Sequence, residues 1–412
     1  MTDQHFPHLS RSFYEQSDIL RAIRTAGFSR ITSPDAVLAC LLCRVSASIP
    51  PGVTLPNGGT LDFIAALVGV SGSGKSVAFK AAKSLLPDIG TVVDGWGIGS
   101  GQGIAQTFVG KPDPDTGLCP IVQPRALFVA DEGEQVLKVA KQEGSLTMST
   151  IRTAWSGGAL GQTNAATERN RNVPAGSYRF ALTVGFQPIF ATQLLTGVYA
   201  GDPQRFLFVG VTHPDQPDQP PPFPKPLAAV WQPSTSTTQL TVDPEVTRQI
   251  TALRTRRQRL EIPSDPLDSH RHLVQLKAAG LLAWLHNDDV TIQWWNAAAE
   301  LVEVSKQVRD RLCDMAITAE QTDVAADVQR SVARSIGVDQ GRERTILQSM
   351  IHSIGNAAKI AGQAVNRSYL HNATASRHRN VVAFDDALAE ALRQGVIVRP
   401  TGTTGLYATP PN

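Results

Sequence analysis

Little in this chain departs from ordinary globular composition, and each shortage excludes something. Four cysteines in 412 residues, Cys40, Cys43, Cys119 and Cys313, are too few for a disulfide framework and favour a reducing compartment. Cys40 and Cys43 form a C-x-x-C, but inside the apolar helical run Ala36 to Val45 and with no second pair at zinc spacing, so they are expected to be core thiols. Charge is sparse and balanced: 18% charged residues and a net charge of +2 exclude a polycation, so any nucleic-acid contact must come from local patches. No apolar run approaches membrane-spanning length, and Met1 to Ser12 is polar without a signal peptide. A cytoplasmic protein without membrane contact is expected. Internal repeats and long low-complexity tracts are also missing. The length itself allows two or three domains, each with its own core.

What is present begins with Gly69-Val70-Ser71-Gly72-Ser73-Gly74-Lys75-Ser76, a full match to G-x-x-x-x-G-K-[ST]. It follows an apolar strand-like run, Leu61 to Val68, and precedes a helix-like run, Ser76 to Leu86. The chemistry needs that setting. Glycines let successive backbone N–H groups curl around a phosphate, and a helix N-terminus adds partial positive charge. Lys75 can then reach the β- and γ-phosphates while the Ser76 hydroxyl ligates Mg²⁺. Gly69, Ser71, Gly72, Ser73, Gly74, Lys75 and Ser76 are therefore the expected nucleotide-binding residues, with ATP and Mg²⁺ as ligands.

Hydrolysis requires a second carboxylate near the metal and a base for water. Arg125 to Ala130 reads as a buried strand ending in Asp131 and Glu132. Asp131 is expected to hold Mg²⁺, together with Ser76, and Glu132 to activate the attacking water. A further strand, Gly90 to Asp94, is expected to lie between the two motifs, an insertion that separates ATPases with a catalytic glutamate from kinases and GTPases. The strand Tyr178 to Gly185 leads to Gln187, a candidate sensor of the γ-phosphate. Arg205, at the start of a strand, is the candidate arginine finger, with Arg152 and Arg179 as rivals.

Strands are expected at 61–69, 91–95, 126–131, 179–186 and 205–211, alternating with helices, which implies an α/β fold with a mostly parallel sheet. The chain divides into an N-terminal helical segment (1–57), an ATPase core (58–212), a proline-rich linker or strap (213–240), a helical domain (241–338) and a winged-helix-like domain (339–412). The last is expected to hold helices near 342–354, 357–370 and 383–394, then a hairpin of Val396 to Arg399 with Leu406 to Ala408. The loop within 160–176, with Arg169 and Arg171, suits a mobile element tracking a phosphate backbone, or equally a solvated surface loop. Arg330, Arg334, Arg342, Arg344, Lys359, Arg367, Arg377 and Arg379 make a second basic stretch, which favours DNA contact near the C-terminus over a merely solvated face. Trp294 and Trp295 are expected in the core.

Ser33-Pro34-Asp35-Ala36-Val37-Leu38, the glycine-rich loop, Asp131-Glu132, Trp155-Ser156-Gly157, Gly185-Phe186-Gln187-Pro188 and Gln204-Arg205-Phe206 together resemble a group of helicase-like P-loop ATPases. The stretch Leu273 to Leu312 and the final segment are also similar to that group. Its members are carried by bacteriophages, plasmids and integrated elements and are often associated with primases. The resemblance implies a RecA-like or AAA+ core, a hexameric ring with ATP at subunit interfaces, and a part in replicating the element. No primase or polymerase module is recognisable, so a partner would supply that step. The expected activity is an ATP-dependent DNA motor, a replicative helicase. The alternatives are an ATP-switched origin-binding initiator or helicase loader, and a signalling or defence ATPase acting on proteins.

Overall fold

The computed structural model describes residues 5–410 except 163–169, 198–199, 228–238 and 263–264, and only the backbone at 57, 319–340 and 342. The chain forms two compact units, residues 1–317 and 318–412.

In the first unit three short helices lead into the sheet. They are α1 (Arg11–Glu15), α2 (Asp18–Ser29) and α3 (Pro34–Ser48). Ser10, Ser17 and Ser33 cap them, each side-chain oxygen accepting from a backbone N–H two or three residues on. Pro34 opens α3 at a position where its missing N–H costs nothing. Every residue of α3 is buried. Its buried Asp35 accepts from Leu9 N–H at 2.9 Å and from Tyr14 O–H at 2.6 Å.

The strands and helices then alternate: β1 (Phe63–Val68), α4 (Lys75–Leu85), β2 (Val93–Trp96), α5 (Gly101–Phe108), β3 (Arg125–Ala130), α6 (Gly133–Ala140), α7 (Thr147–Trp155), β4 (Arg179–Phe186), α8 (Pro188–Leu195) and β5 (Leu207–Gly210). The five strands form one all-parallel sheet in the order β2-β3-β4-β1-β5. β1 and β4 are buried along their whole length, as the middle strands of a sheet covered on both faces must be. All five expected strands occur within two or three residues of their anticipated ends. One inference drawn from them needs correction. The strand after α4 lies at the sheet edge, and the strand that separates β1 from β3 in space is β4.

Residues 213–227 form no helix or strand beyond a single turn, as their prolines require. α9 (Pro244–Gln258), α10 (Arg271–Leu285) and the start of α11 (Ile292–Ala361) follow. These helices share the core of the sheet, as do α1 to α3, because a parallel sheet needs apolar cover on both faces. Segments 1–57 and 241–317 are thus parts of the first unit rather than separate domains. Trp294 and Trp295 are buried there, their ring N–H groups donating to Asp288 and Gln249. Cys40 and Cys43 are buried in α3, and burial pushes the Cys43 thiol up to about 12.

At the N-terminal ends of β1 and β4 lies a knot of buried charge. Arg179 and Asp62 are both fully buried, 3.7 Å apart. Arg179 also donates to the carbonyls of Pro50 (2.9 Å) and Val53 (2.7 Å), and Asp62 accepts from Phe180 N–H at 2.7 Å. Lys277 of α10 reaches in to donate to the carbonyls of Asp62 (2.9 Å) and Trp155 (2.6 Å), lying 4.0 Å from the Trp155 ring.

The second unit packs the end of α11 with β6 (Val365–Asn366), α12 (Arg367–Ala373), α13 (Ser376–Arg379), α14 (Phe384–Arg393) and β7 (Leu406–Tyr407). Met350, Ile354, Leu370, Phe384, Leu388, Ile397 and Tyr407 make its core. The expected break between helices at 354 and 357 does not occur, and α11 continues to Ala361. Gly355 serves close packing instead, since a Cβ there would lie 2.5 Å from Val396. The expected hairpin is reduced to a bridge between Val398 and Ala408, and β7 pairs with β6, a strand not anticipated.

Burial draws the Lys277 ammonium down from 10.5 to about 7. Between those values the unfolded chain binds more protons at this site than the folded one, so the lysine makes stability rise with pH across that window. Urea denaturation across the same window should show a smaller rise for Lys277→Met than for the parent. Parallel curves would mean that the ammonium is not depressed.

Candidate functional site

The site sits where the chain leaves the C-terminal ends of β1, β3 and β4. β1 ends at Val68, and Gly69 begins a loop that turns into α4 at Lys75. The loop needs its glycines for two different reasons. Gly72 and Gly74 have φ of +76° and +103°, a region that side chains resist. Gly69 has an ordinary φ but no room, since a Cβ would lie 2.1 Å from Val211 and 2.4 Å from the Ser73 hydroxyl. Gly69 N–H donates to Phe186 O and Ser73 Oγ to Val70 O, which fixes the loop to β4 and to itself.

Lys75 Nζ donates to Gly69 O (2.7 Å) and Val70 O (2.8 Å), holding the ammonium across the loop's mouth. Partial burial lowers its pKa, and the nearby Glu132 carboxylate opposes that shift. The Ser76 hydroxyl lies in the first turn of α4 and is exposed. β3 delivers Asp131 and Glu132, both exposed, at its tip. β4 delivers Gln187, whose side chain caps nothing although it opens α8.

These side chains meet in one cleft of about 370 Å³, lined by Ser71, Gly72, Gly74, Lys75 and Ser76 on one wall and Asp131, Glu132 and Gln187 on the other. The cleft holds backbone donors and an ammonium at a helix N-terminus, the chemistry that suits phosphate. A hydroxyl and a carboxylate face each other across it, oxygen donors of the kind Mg²⁺ takes. Gly69 and Ser73 support the loop from behind.

Arg205 lies elsewhere. It precedes β5, whose parallel register with β1 puts it at the end of the sheet opposite the loop. Its guanidinium donates to Gly201 O, sits 5.4 Å from the Trp155 ring and is half-buried. Of the two rivals, Arg152 pairs with Asp202. Arg179 is entirely buried in the charge knot described above, which removes it as a group that could reach another subunit.

Arg169 falls outside the described residues. Arg171 donates to Gln106 and to Asn170 O near the base of the loop, where Leu160 and Val173 pair as antiparallel neighbours. In the second unit Arg367 is paired with Asp385 and lies over the Phe384 ring, and Arg379 donates to the carbonyls of His371 and Thr374. Arg377 is exposed. The side chains of Arg330, Arg334 and Arg342 fall outside the described ones.

Some contributors were not anticipated. Gly185 closes the floor of the cleft, where a Cβ would lie 2.6 Å from Asp131 O and 3.3 Å from the Lys75 side chain. Thr32, before α3, backs Gly74 and donates to its carbonyl. A second glycine-rich run, Gly95 within β2 and Gly97 and Gly99 just after it, lines a neighbouring groove of about 610 Å³ that also reaches Asp131 and Glu132. Its alternating glycines were legible in the sequence, but without a partner motif they pointed to no chemistry.

No protein-family model matches the chain, and a search of curated proteins finds no match either.

Gly69→Ala must displace Val211 or the Ser73 hydroxyl and is expected to cost about 1–3 kcal/mol in urea denaturation. Gly97 has open space around it. Gly97→Ala should therefore stay within about 0.5 kcal/mol of the parent.

Proposed function

We propose that the protein is a Mg²⁺-dependent ATPase whose hydrolysis drives movement along DNA, acting in the replication of a phage or other mobile element. One observation carries the ATPase: Lys75 and Ser76 of the glycine-rich loop share a cleft with Asp131, Glu132 and Gln187. The interposition of β4 between the loop strand and the acidic strand supports the RecA-like or AAA+ type over the kinase type.

In the proposed reaction the loop's N–H groups and Lys75 hold the β- and γ-phosphates of the substrate. Bound Mg²⁺, held by Ser76 and Asp131, would neutralise charge on the phosphate oxygens. Glu132 accepts a proton from water as its oxygen forms a bond to the γ-phosphorus. The bond from that phosphorus to the bridging oxygen breaks, giving ADP and inorganic phosphate. Gln187, which lines the same cleft, would donate to the γ-phosphate or to the attacking water.

DNA as the track, a hexameric ring and a primase or polymerase partner rest on the motif resemblance. Arg205 could serve a neighbouring subunit only after leaving Gly201 O and the Trp155 ring. Between the motor and the origin-binding initiator, one feature favours the motor. The first turn of α14 carries Asp385 and Asp386, and Asp385 neutralises Arg367. That leaves the second unit a weaker candidate for reading duplex DNA than its basic residues suggested.

The ATPase is tested by turnover with and without Mg²⁺. Glu132→Gln should slow hydrolysis by about 10²–10⁴-fold while nucleotide binding persists, and Lys75→Ala should weaken binding itself. A parent protein that binds no nucleotide would sink the proposal. The motor is tested separately by adding single-stranded DNA, which should raise turnover several-fold. Unchanged turnover with DNA, in an active ATPase, would favour a protein-directed role.

A further inference from the structure

Beside β5, and apart from the cleft, the chain brings together three side chains that carry metal-ligating atoms. One nitrogen each from His8 and His213 and one carboxylate oxygen from Asp215 lie within 4.8 Å of one another. Among the described residues no other group of three or more histidine, cysteine or acidic side chains is so arranged. We propose that His8, His213 and Asp215 form a binding site for a divalent transition metal, with Zn²⁺ the best match. Two imidazoles and one carboxylate are a ligand set that zinc accepts, with a fourth position left for water.

The ligands come from segments more than 200 residues apart, and the backbone on each side is held independently. Phe6 packs onto Gly210, where a Cβ would lie 2.6 Å from it, and Leu9 N–H is held by the buried Asp35 carboxylate. Those contacts flank His8. On the other side Val211 O accepts from Ser33 N–H at 3.0 Å, and the Gln216 side chain donates to Phe28 O at 3.0 Å. Those contacts bracket His213 and Asp215. The Phe28 ring meets His213 edge-on at 5.2 Å and forms an apolar wall, while the two imidazoles lie 4.4 Å apart. Drawing the three ligand atoms onto a metal at about 2.0–2.2 Å requires side-chain rotation of an angstrom or so, without refolding. One existing contact must yield or turn: the Asp215 N–H donates to His213 Nδ1 at 3.2 Å.

Such a metal would clamp the segment before α1 to the start of the proline-rich strap, two residues beyond Val211. Val211 is the residue against which Gly69 is packed. The site is independent of the proposed ATPase, since none of its ligands lines the cleft.

The test uses the full chain, stripped with chelator and kept free of nucleotide, in excess Mg²⁺ to occupy any oxygen-donor site. Titration with Zn²⁺ should show one equivalent bound and a thermal midpoint raised by roughly 5 °C. His213→Ala and His8→Ala should each weaken binding by at least about tenfold and abolish that rise, while melting like the parent in chelator. Co²⁺ should give a visible ligand-field spectrum without a thiolate charge-transfer band, which excludes Cys313 as the binding group. Absence of Zn²⁺ binding, affinity unchanged by either histidine variant, or a thiolate band would each overturn the assignment. If a histidine variant melts early in chelator, Asp215→Asn supplies the same comparison from an exposed position.

Discussion

Everything at the cleft depends on the spacing of three parallel strands. Neighbouring strands stand about 4.8 Å apart, so interposing β4 sets the loop strand β1 about 10 Å from the acidic strand β3. That spacing leaves the cleft open between Lys75 on one side and Glu132 on the other. It also puts the tip of β4, with Gly185 and Gln187, directly beneath the gap. Gly185 has no side chain because Asp131 O and Lys75 occupy the space a methyl would need. A strand pairing shifted by one residue would exchange the side chains that β4 presents to its two buried faces and would move Gly185 from beside Asp131 O, so the packing of the sheet and the geometry of the cleft are specified together.

The opposite end of the same strands is held by charge. Asp62 precedes β1 and Arg179 begins β4, so their ion pair joins the strand that carries the loop to the strand that carries Gln187. Lys277 extends the join to α10 and to the end of α7 through Trp155 O. A buried ion pair is weak grounds for stability but a strong constraint on register, because removing one partner strands the other's charge. The Trp155 ring also lies against Arg205, so the residue proposed to serve a neighbouring subunit is coupled to the knot that fixes the sheet.

The sequence disclosed most of this architecture where local pattern and chemistry coincide. The glycine-rich loop, the apolar run ending in Asp131-Glu132, and all five strands could be read because each is a contiguous signal of fixed period or spacing. The order of the strands could not, since pairing is set by which faces bury against which, and the edge position of β2 is invisible in a linear reading. Arg179 shows the same limit. An arginine opening a strand looks like Arg205 in sequence, yet burial makes one a structural pin and leaves the other half-exposed. The weak β6 was missed because two residues carry no period, and the expected break between 354 and 357 is absent because α11 runs on through Gly355, which packs closely against Val396. Arg367 and Arg379 illustrate the cost of counting charges without their partners: one is neutralised by Asp385 and the other serves its own backbone.

The complete burial of α3 has a consequence for how this protein can have been assembled by recombination. The stretch that looks like a self-sufficient nucleotide module, residues 58–212, has one face of its sheet roofed by a helix encoded ahead of it, and that helix has no side exposed to water. Exchanging the module between genes at its apparent boundary would bare an apolar sheet face in the recipient and a helix with every residue buried in the donor. The inheritable unit is therefore wider than the motif that advertises it, and it begins no later than the serine that caps α3.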